Sequence, residues 1–302
     1  RHGDPTAPGP VIVSAGEVLW DVFPDGEHFG GAPANVAVHA AALGAQAAMV
    51  SAVGRDARGD AALERLAAVG VNCDAVARLA DHPTGVVHVS VDGAGMPSYD
   101  IAEGSAWDCL QWTALVERAA ARADAICFGT LAQRSAVSRA TIQRAVAATG
   151  AHAWRLLDDN VRQSYYDAGV LTGSLELANV VKLNQEELPV VAGLCGIGRG
   201  PPVGQLRALC ERFELKLAVL TRGPAGSLIV SRTGVWGAVA PRTTIADTVG
   251  AGDAFTAAFL VGILAGRSLD KVNERANAVA AYVCSQPGAT PPIPAELRSS
   301  GA

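Results

Sequence analysis

The chain is short of positive charge, of paired cysteines and of long apolar runs, and each shortage removes a class of function. Lys and Arg number 24 against 29 Asp and Glu, a formal net charge of −5, and the basic residues are scattered. A nucleic-acid surface needs them clustered and in excess. The 6 cysteines, Cys73, Cys109, Cys127, Cys195, Cys210 and Cys284, lie far apart and form no C-x-x-C pair. That spacing fits neither a zinc site nor a disulfide frame; thiols buried as packing residues in a reducing cytosol are expected, and with them a cytoplasmic location. No apolar stretch is long enough to cross a bilayer, so no membrane role is expected. Arg1–Pro10 is polar and proline-rich without an apolar core, and reads as a frayed tail rather than a signal peptide. No repeat, no low-complexity tract and no G-x-x-x-x-G-K-[ST] loop occurs. What remains, at 302 residues with 50% hydrophobic and 18% charged, is a chain able to bury a large core, as one large domain or one with a small appendage. Its partner is expected to be a small molecule.

The most informative stretch is Asp247-Thr248-Val249-Gly250-Ala251-Gly252-Asp253-Ala254-Phe255, a glycine-spaced turn running into an apolar series. It reads as a helix start. Two glycines allow close backbone approach, and the first helical turn presents unpaired N–H groups with partial positive charge, so the natural occupant is an anion such as phosphate. A carboxylate there would repel that anion unless it served a second group, and a hydroxyl awaiting deprotonation fits. Phosphoryl transfer to an alcohol, with Asp253 as general base, follows from this chemistry. The competing reading is a tight turn with Asp253 as a helix cap.

Upstream, Val11–Leu19 reads as a strand interrupted by Gly16 and Glu17, with Asp21 in the loop beyond it. Gly30-Gly31-Ala32-Pro33-Ala34-Asn35-Val36-Ala37 leads into an alanine-rich helix ending at Gly44. Pro33 suits a first helical turn, and paired glycines make a wall free of side chains; an ordinary loop into a helix would look the same. Ala47–Val53 is a second strand, and Asp60 is expected to cap the helix that follows it. Alternation in Gly85–Val91 and Ser98–Ile101 about Asp92-Gly93-Ala94-Gly95 predicts a hairpin, part of a small sheet standing off the main domain. His88 reads as a surface or packing residue there. Just after it, Glu103 and Trp107 are candidates to meet a ligand, Trp107 equally a core residue.

From Asp124 strands and helices alternate: strands Ala125–Phe128, Ala153–Leu157, Val180–Leu183 and Leu217–Leu220, helices Ser135–Thr149 and Leu269–Ser285, and a loop over Gly193–Gly204. Asp158, Asn160 and Arg162 would share one side if their strand continued, as a ligand-facing row or as an edge salt bridge. Asn184 and Glu187 have the spacing of an outer magnesium shell and equally of a helix cap. Thr221-Arg222-Gly223-Pro224-Ala225-Gly226 forms a turn between two strands.

The Gly30–Ala37 and Asp247–Phe255 strings resemble the two signatures of the ribokinase-like carbohydrate kinases, also called the phosphofructokinase B family, and the likeness extends over about Val11–Leu297. The resemblance implies a three-layer α/β/α domain over residues 11–297 with a mostly parallel sheet and a small β-sheet lid. The lid strands would lie within about 12–30 and 83–107, and 1–10 and 298–302 would be tails. It implies Asp253 as base, Gly250, Ala251 and Gly252 as anion hole, and Arg162 as an aid to transfer. On the sugar side it implies Asp21, Gly30, Gly31, Asn35, Glu103, Gln133, Asp158 and Asn160. For ATP it implies Asn184, Thr221, Gly223, Gly226, Gly252 and Asn277, for Mg2+ Glu187 through water, and for K+ the surroundings of Ile245, Asp247, Ser285 and Gly288. The Gly54-x-Asp56-x-x-Gly59 stretch also resembles the family.

Gly16–Asp21, Ala106–Asp108 and Leu131–Ser135 look most like bacterial fructokinases, which makes fructose the expected sugar. A ketodeoxygluconate kinase would want a hairpin cation for the acid's carboxylate, and Ser98-Tyr99-Asp100-Ile101 offers none; ribose and nucleosides are further alternatives. A non-catalytic sugar or nucleotide sensor is the alternative of another class. Lid sheets in this family often pair between subunits, and Val87, Val89 and Val91 would allow a homodimer.

Overall fold

Short β-branched runs separated by alanine- and leucine-rich helices give strands buried on both faces, the pattern of a parallel sheet between helical layers. The computed structural model describes residues 9–24, 26–91, 97–159 and 168–298. In chain order the elements are β1 (Val11–Ala15), β2 (Leu19–Phe23), β3 (Gly26–Gly30), α1 (Ala32–Ala42), β4 (Gln46–Gly54), α2 (Ala57–Ala68), β5 (Val76–Leu79), β6 (Gly85–Val91) and β7 (Pro97–Ile101). Then come α3 (Ala114–Arg122), β8 (Ala125–Phe128), α4 (Ala136–Ala147), β9 (Trp154–Asp158), α5 (Ala168–Leu177), β10 (Val180–Asn184), α6 (Glu187–Leu194) and α7 (Pro202–Arg212). The last are β11 (Leu217–Thr221), β12 (Ser227–Val230), β13 (Val235–Ala238), α8 (Ala251–Leu264), α9 (Leu269–Cys284) and α10 (Ala295–Arg298).

The large sheet runs β13-β12-β11-β10-β9-β8-β1-β4-β5, parallel from β5 to β11 with β12 and β13 antiparallel at one edge. Adjacent residues of one strand feed opposite cores because the pleat alternates. Ile12 of β1 and Leu156 of β9 pack with α1, α8 and α9, while their neighbours Val13 and Leu157 pack on the other face with α3 to α7. The result is the expected three-layer α/β architecture. From β1 the chain leaves to one side for β4 and returns on the other at β8, so the crevice beyond the ends of β1 and β8 is a topological switch point. Open α/β sheets bind their ligands in that crevice.

The second sheet, β3-β2-β6-β7, has four strands. Its formation changes the expected first strand: β1 stops at Ala15, Gly16 takes a positive φ of 152°, and Leu19 opens β2 in the other sheet. Asp21 therefore lies within a strand, opposite His28 and Val87, and not in a loop. Val87 and Val89 are buried in this chain's own core with Ile101 and Trp107. Trp107, at 1% exposure, is a core residue.

Other expectations need correcting. The cap of α2 is Asp56, which accepts from Gly59 N at 2.8 Å; Asp60 lies inside the first turn and pairs with Arg78. The Gly54-x-Asp56-x-x-Gly59 stretch also reaches the second sheet, since Asp56 accepts from both the backbone N–H and the hydroxyl of Thr84, just before β6. The expected Gly193–Gly204 loop ends at Pro202, where α7 begins with a proline that gives up no needed hydrogen bond. Cys127, Cys195 and Cys210 are buried, whereas Cys73, Cys109 and Cys284 are only partly so, and all 6 are free thiols. Among the described residues no helix is long and apolar enough to cross a membrane.

Candidate active site

Gly250 sets the site. It has φ 77° and ψ −7°, the left-handed conformation that a side chain disfavours, and a Cβ there would collide with the carbonyl oxygen of Ala289. The chain thus enters α8 so that the N–H groups of its first turn have no partner within the helix. Gly250, Ala251 and Gly252 are partly exposed, so this positive end borders the cleft. Asp253 follows in the same turn, 8% exposed, and accepts a 2.8 Å hydrogen bond from Nδ2 of Asn35.

Asn35 brings the sugar-side segment with it. Gly31 precedes α1 with φ 102°, and a Cβ there would meet the backbone of Glu17 at 2.6 Å. A Cβ on Gly30 would stand 2.5 Å from Oδ2 of Asp21. The glycine wall, the strand acid, the amide and the helix acid therefore meet in one place. Beside them, at the switch point, Glu17, Pro33, Val36, Cys127, Thr130 and Asp158 line a cavity of about 10 Å³, room for one water and no more.

On the inner side stands a residue the sequence reading passed over. Lys182 of β10 is 5% exposed and donates to Oδ1 of Asp158 at 2.7 Å, while Thr256 of α8 donates to Oδ2 at 2.6 Å. A Cβ on Gly252 would be 3.3 Å from the Lys182 ammonium, which places that charge directly behind the first turn of α8. Burial works against the lysine's charge, but Asp158, Glu187 and Asp253 outweigh it and hold its pKa above the ordinary value. Asp158, expected on the sugar side, thus has both oxygens engaged by Lys182 and Thr256. Asp159 accepts from Thr130 at 2.8 Å and is pushed by burial up to about 6.

Glu187 and Asn184 form a reciprocal cap: Asn184 Oδ1 accepts from the N–H groups of Glu186 and Glu187, and Glu187 Oε2 accepts from Asn184 N at 2.7 Å. Burial pushes Glu187 up to about 7 against the pull of Lys182. Thr221 ends β11, its hydroxyl donating to Leu183 O at 3.4 Å. Gly223 and Gly226 both have positive φ, and a Cβ on Gly226 would collide with Ala238 O. Asn277 is buried, and its amide donates to Ser227 Oγ at 2.6 Å and Asn273 O at 2.8 Å.

Gln133 lies apart from the cleft polar groups. It is fully buried, donating to Gly129 O and Ser174 Oγ and accepting from Gln143. Glu103 is exposed beyond β7. Asn160 and Arg162 fall outside the described residues. Asp247 and Gly288 are joined by a 3.1 Å bond from Gly288 N, Ser285 donates to Tyr282 O, and Ile245 is 57% exposed.

Besides Lys182, the sequence reading missed Thr256 and His39. Each left a faint mark: a lysine inside an apolar strand, a hydroxyl four residues after Gly252, and the one aromatic ring in an alanine-rich helix.

The profile of the pfkB family carbohydrate kinases matches residues 12–296. A fructokinase of Klebsiella pneumoniae is 32% identical over 83% of this chain and 83% of its own. The crystal structure of an uncharacterized sugar kinase from Pyrococcus horikoshii in complex with ATP superposes with a TM-score of 0.79 at 29% identity, covering 92% of this chain and 94% of that one. That of a fructokinase from Xylella fastidiosa with bound ATP gives 0.84 at 24% identity over 94% and 95%.

Proposed function

The chain belongs to the pfkB family of carbohydrate kinases, and from that premise we propose that it transfers the terminal phosphoryl group of ATP to a hydroxyl of fructose, with Asp253 as general base. One observation carries the reading: Asp253 sits in the first turn of α8, beside the left-handed Gly250 and bonded to Asn35 at the end of the glycine wall. A proton acceptor and an anion-binding helix end are thus offered to one small volume.

In the proposed reaction the sugar lies against Gly30 and Gly31, its hydroxyls met by Asp21 and Asn35, with Asp158, Asn160 and Glu103 as further contributors. Asp253 removes the attacking hydroxyl's proton as the oxygen approaches phosphorus. The N–H groups of Gly250, Ala251 and Gly252 face the charge that develops on the transferred group, and Arg162 assists. Asn184, Thr221, Gly223, Gly226 and Asn277 border the nucleotide. The donor set suits a magnesium nucleotide: Glu187 offers a carboxylate whose Oε1 is unbonded among the described residues, and Gly223 has open space where a side chain would stand. Magnesium supplies neutralisation of phosphate charge when bound. Carbonyls about Ile245, Ser285 and Gly288, with Asp247 opposite, would hold potassium.

The small sheet acts as a lid that keeps water from competing for the phosphoryl group. A neutral ketose is favoured over a sugar acid because Gly85–Ile101 contains no Lys or Arg to meet a carboxylate, and the likeness to fructokinases makes that ketose fructose. A coupled assay of ADP release over fructose, ribose, ketodeoxygluconate and a nucleoside tests both levels. Fructose with the highest kcat/KM is expected. Another sugar ahead of it overturns the substrate, and no turnover on any overturns the reaction in favour of a sensor.

A further inference from the structure

His39 lies one turn beyond Asn35 on α1 and is fully buried. Its Nε2 is 2.9 Å from the carbonyl oxygen of Ala289, and since a carbonyl only accepts, Nε2 carries the proton. The other ring nitrogen, Nδ1, is buried with no partner. The helix around it is otherwise apolar, with Val36, Ala37, Val38 and Ala40. A buried nitrogen without a partner costs stability that an apolar side chain of similar size would spare. What the imidazole adds is therefore its one hydrogen bond, and its target is not an ordinary carbonyl.

The Ala289 backbone is the surface on which Gly250 rests: a Cβ on Gly250 would meet Ala289 Cα at 2.7 Å and collide with its oxygen. The preceding peptide is held from the other side, where Gly288 N donates to Asp247 Oδ2 at 3.1 Å. Asp247 in turn accepts from Val249 N at 3.0 Å, immediately before the turn. Helix α1 thus grips the start of α8 at two points a turn apart. Asn35 holds the acid at position 253, and His39 holds the strap 288–289 that backs the left-handed glycine.

We propose that His39 is a positioning residue for phosphoryl transfer: its bond to Ala289 O fixes the strap behind Gly250 relative to the helix that carries the sugar contact Asn35. This rests on the reading that the Gly250–Gly252 turn holds the transferred group. Displacing that turn by a fraction of an ångström misaims its N–H groups while leaving the glycine wall and Asn35 in place. The loss falls on kcat and spares the sugar KM.

The test uses the full chain with the sugar that the panel identifies, comparing His39→Met, which fills the space without a donor, and His39→Gln, whose amide nitrogen reaches the same carbonyl. For His39→Met, kcat falls about 10- to 100-fold with the sugar KM within about twofold, and His39→Gln returns kcat to within about threefold of the parent. A His39→Met enzyme with the parent's kcat overturns the proposal, as does an equal loss of kcat in both variants. If His39→Met does not fold, His39→Gln decides alone: a folded variant within about threefold supports the proposal, and one slower by about tenfold or more overturns it. Asp253→Asn is run alongside. Should it retain the parent's rate, the underlying reading fails; should it be slow while His39→Met is not, only the role of His39 fails.

Discussion

Asn35 and Asp253 stand 218 positions apart in the chain, and a 2.8 Å hydrogen bond from the amide of one to the carboxylate of the other joins α1 to α8. The bond links the segment that the family resemblance assigns to the sugar with the turn expected to hold phosphate. It also helps to orient a buried acid.

Replacing Asn35 with alanine removes that donor together with the proposed sugar contact. A hydrogen bond to a charged group is worth about 1.5–3 kcal/mol, so Asn35→Ala should melt earlier and lose about 10- to 100-fold in kcat/KM. Steady-state rates beside a thermal melt check this; a variant with parental kcat/KM would show that the bond orients nothing of consequence.

Lys182 and Asp158 make a separable test. Lys182→Met leaves Asp158 buried without its cation, a situation that costs about 3–5 kcal/mol. Adding Asp158→Asn removes the stranded charge and keeps an acceptor for Thr256, so the double variant should be more stable than Lys182→Met alone. Urea unfolding of the parent, both single variants and the double variant measures the coupling. Strictly additive losses would mean that the 2.7 Å pair carries no coupling.

At Gly250 the backbone itself is tested. Gly250→Ala puts a side chain into φ 77° and against Ala289, and strain of this kind costs about 1–3 kcal/mol. A lower melting temperature is expected, with a fall in kcat of more than about tenfold as the proposed anion hole shifts. Unchanged kcat in a folded variant would detach the turn from the chemistry.

Asp159 gives a pH dependence. Its carboxyl is raised from 3.8 to about 6 in the folded chain, so between those values the folded state binds more protons than the unfolded one. Stability therefore drains away as pH rises through that window and the penalty is complete above about 6. Asp159→Asn still accepts from Thr130 and has no such proton, so the variant should gain on the parent as pH is raised across the window. Chemical denaturation at several pH values reads the difference; a constant gap would contradict the shifted carboxyl.

How much of this was legible in the sequence depends on what each feature demands of its residues. Gly250 and Gly31 were readable because their positive φ values exclude most side chains. The alternation of strands and helices was readable for the same kind of reason, since apolar runs such as Ala125–Phe128 must be buried on both faces. Where the demand is looser, the reading slipped. Asp56 and Asp60 both precede apolar helical residues, and only the bond to Gly59 N decides which caps. Strand β5 is short and carries Arg78 outward at the sheet edge, so it left no apolar run. Lys182 and His39 escaped because their partners lie far off: a carboxylate 24 positions away, and a backbone carbonyl 250 away, which any residue could supply.

The most direct measurement is Asp253→Asn, followed by ATP binding and by the rate of phosphoryl transfer in a single turnover. A general base contributes about 10²- to 10⁴-fold, so transfer should slow by that factor while ATP affinity stays within about twofold. Loss of binding and rate in equal measure, or a rate no different from the parent's, would contradict the account by leaving Asp253 a structural residue of the first turn of α8.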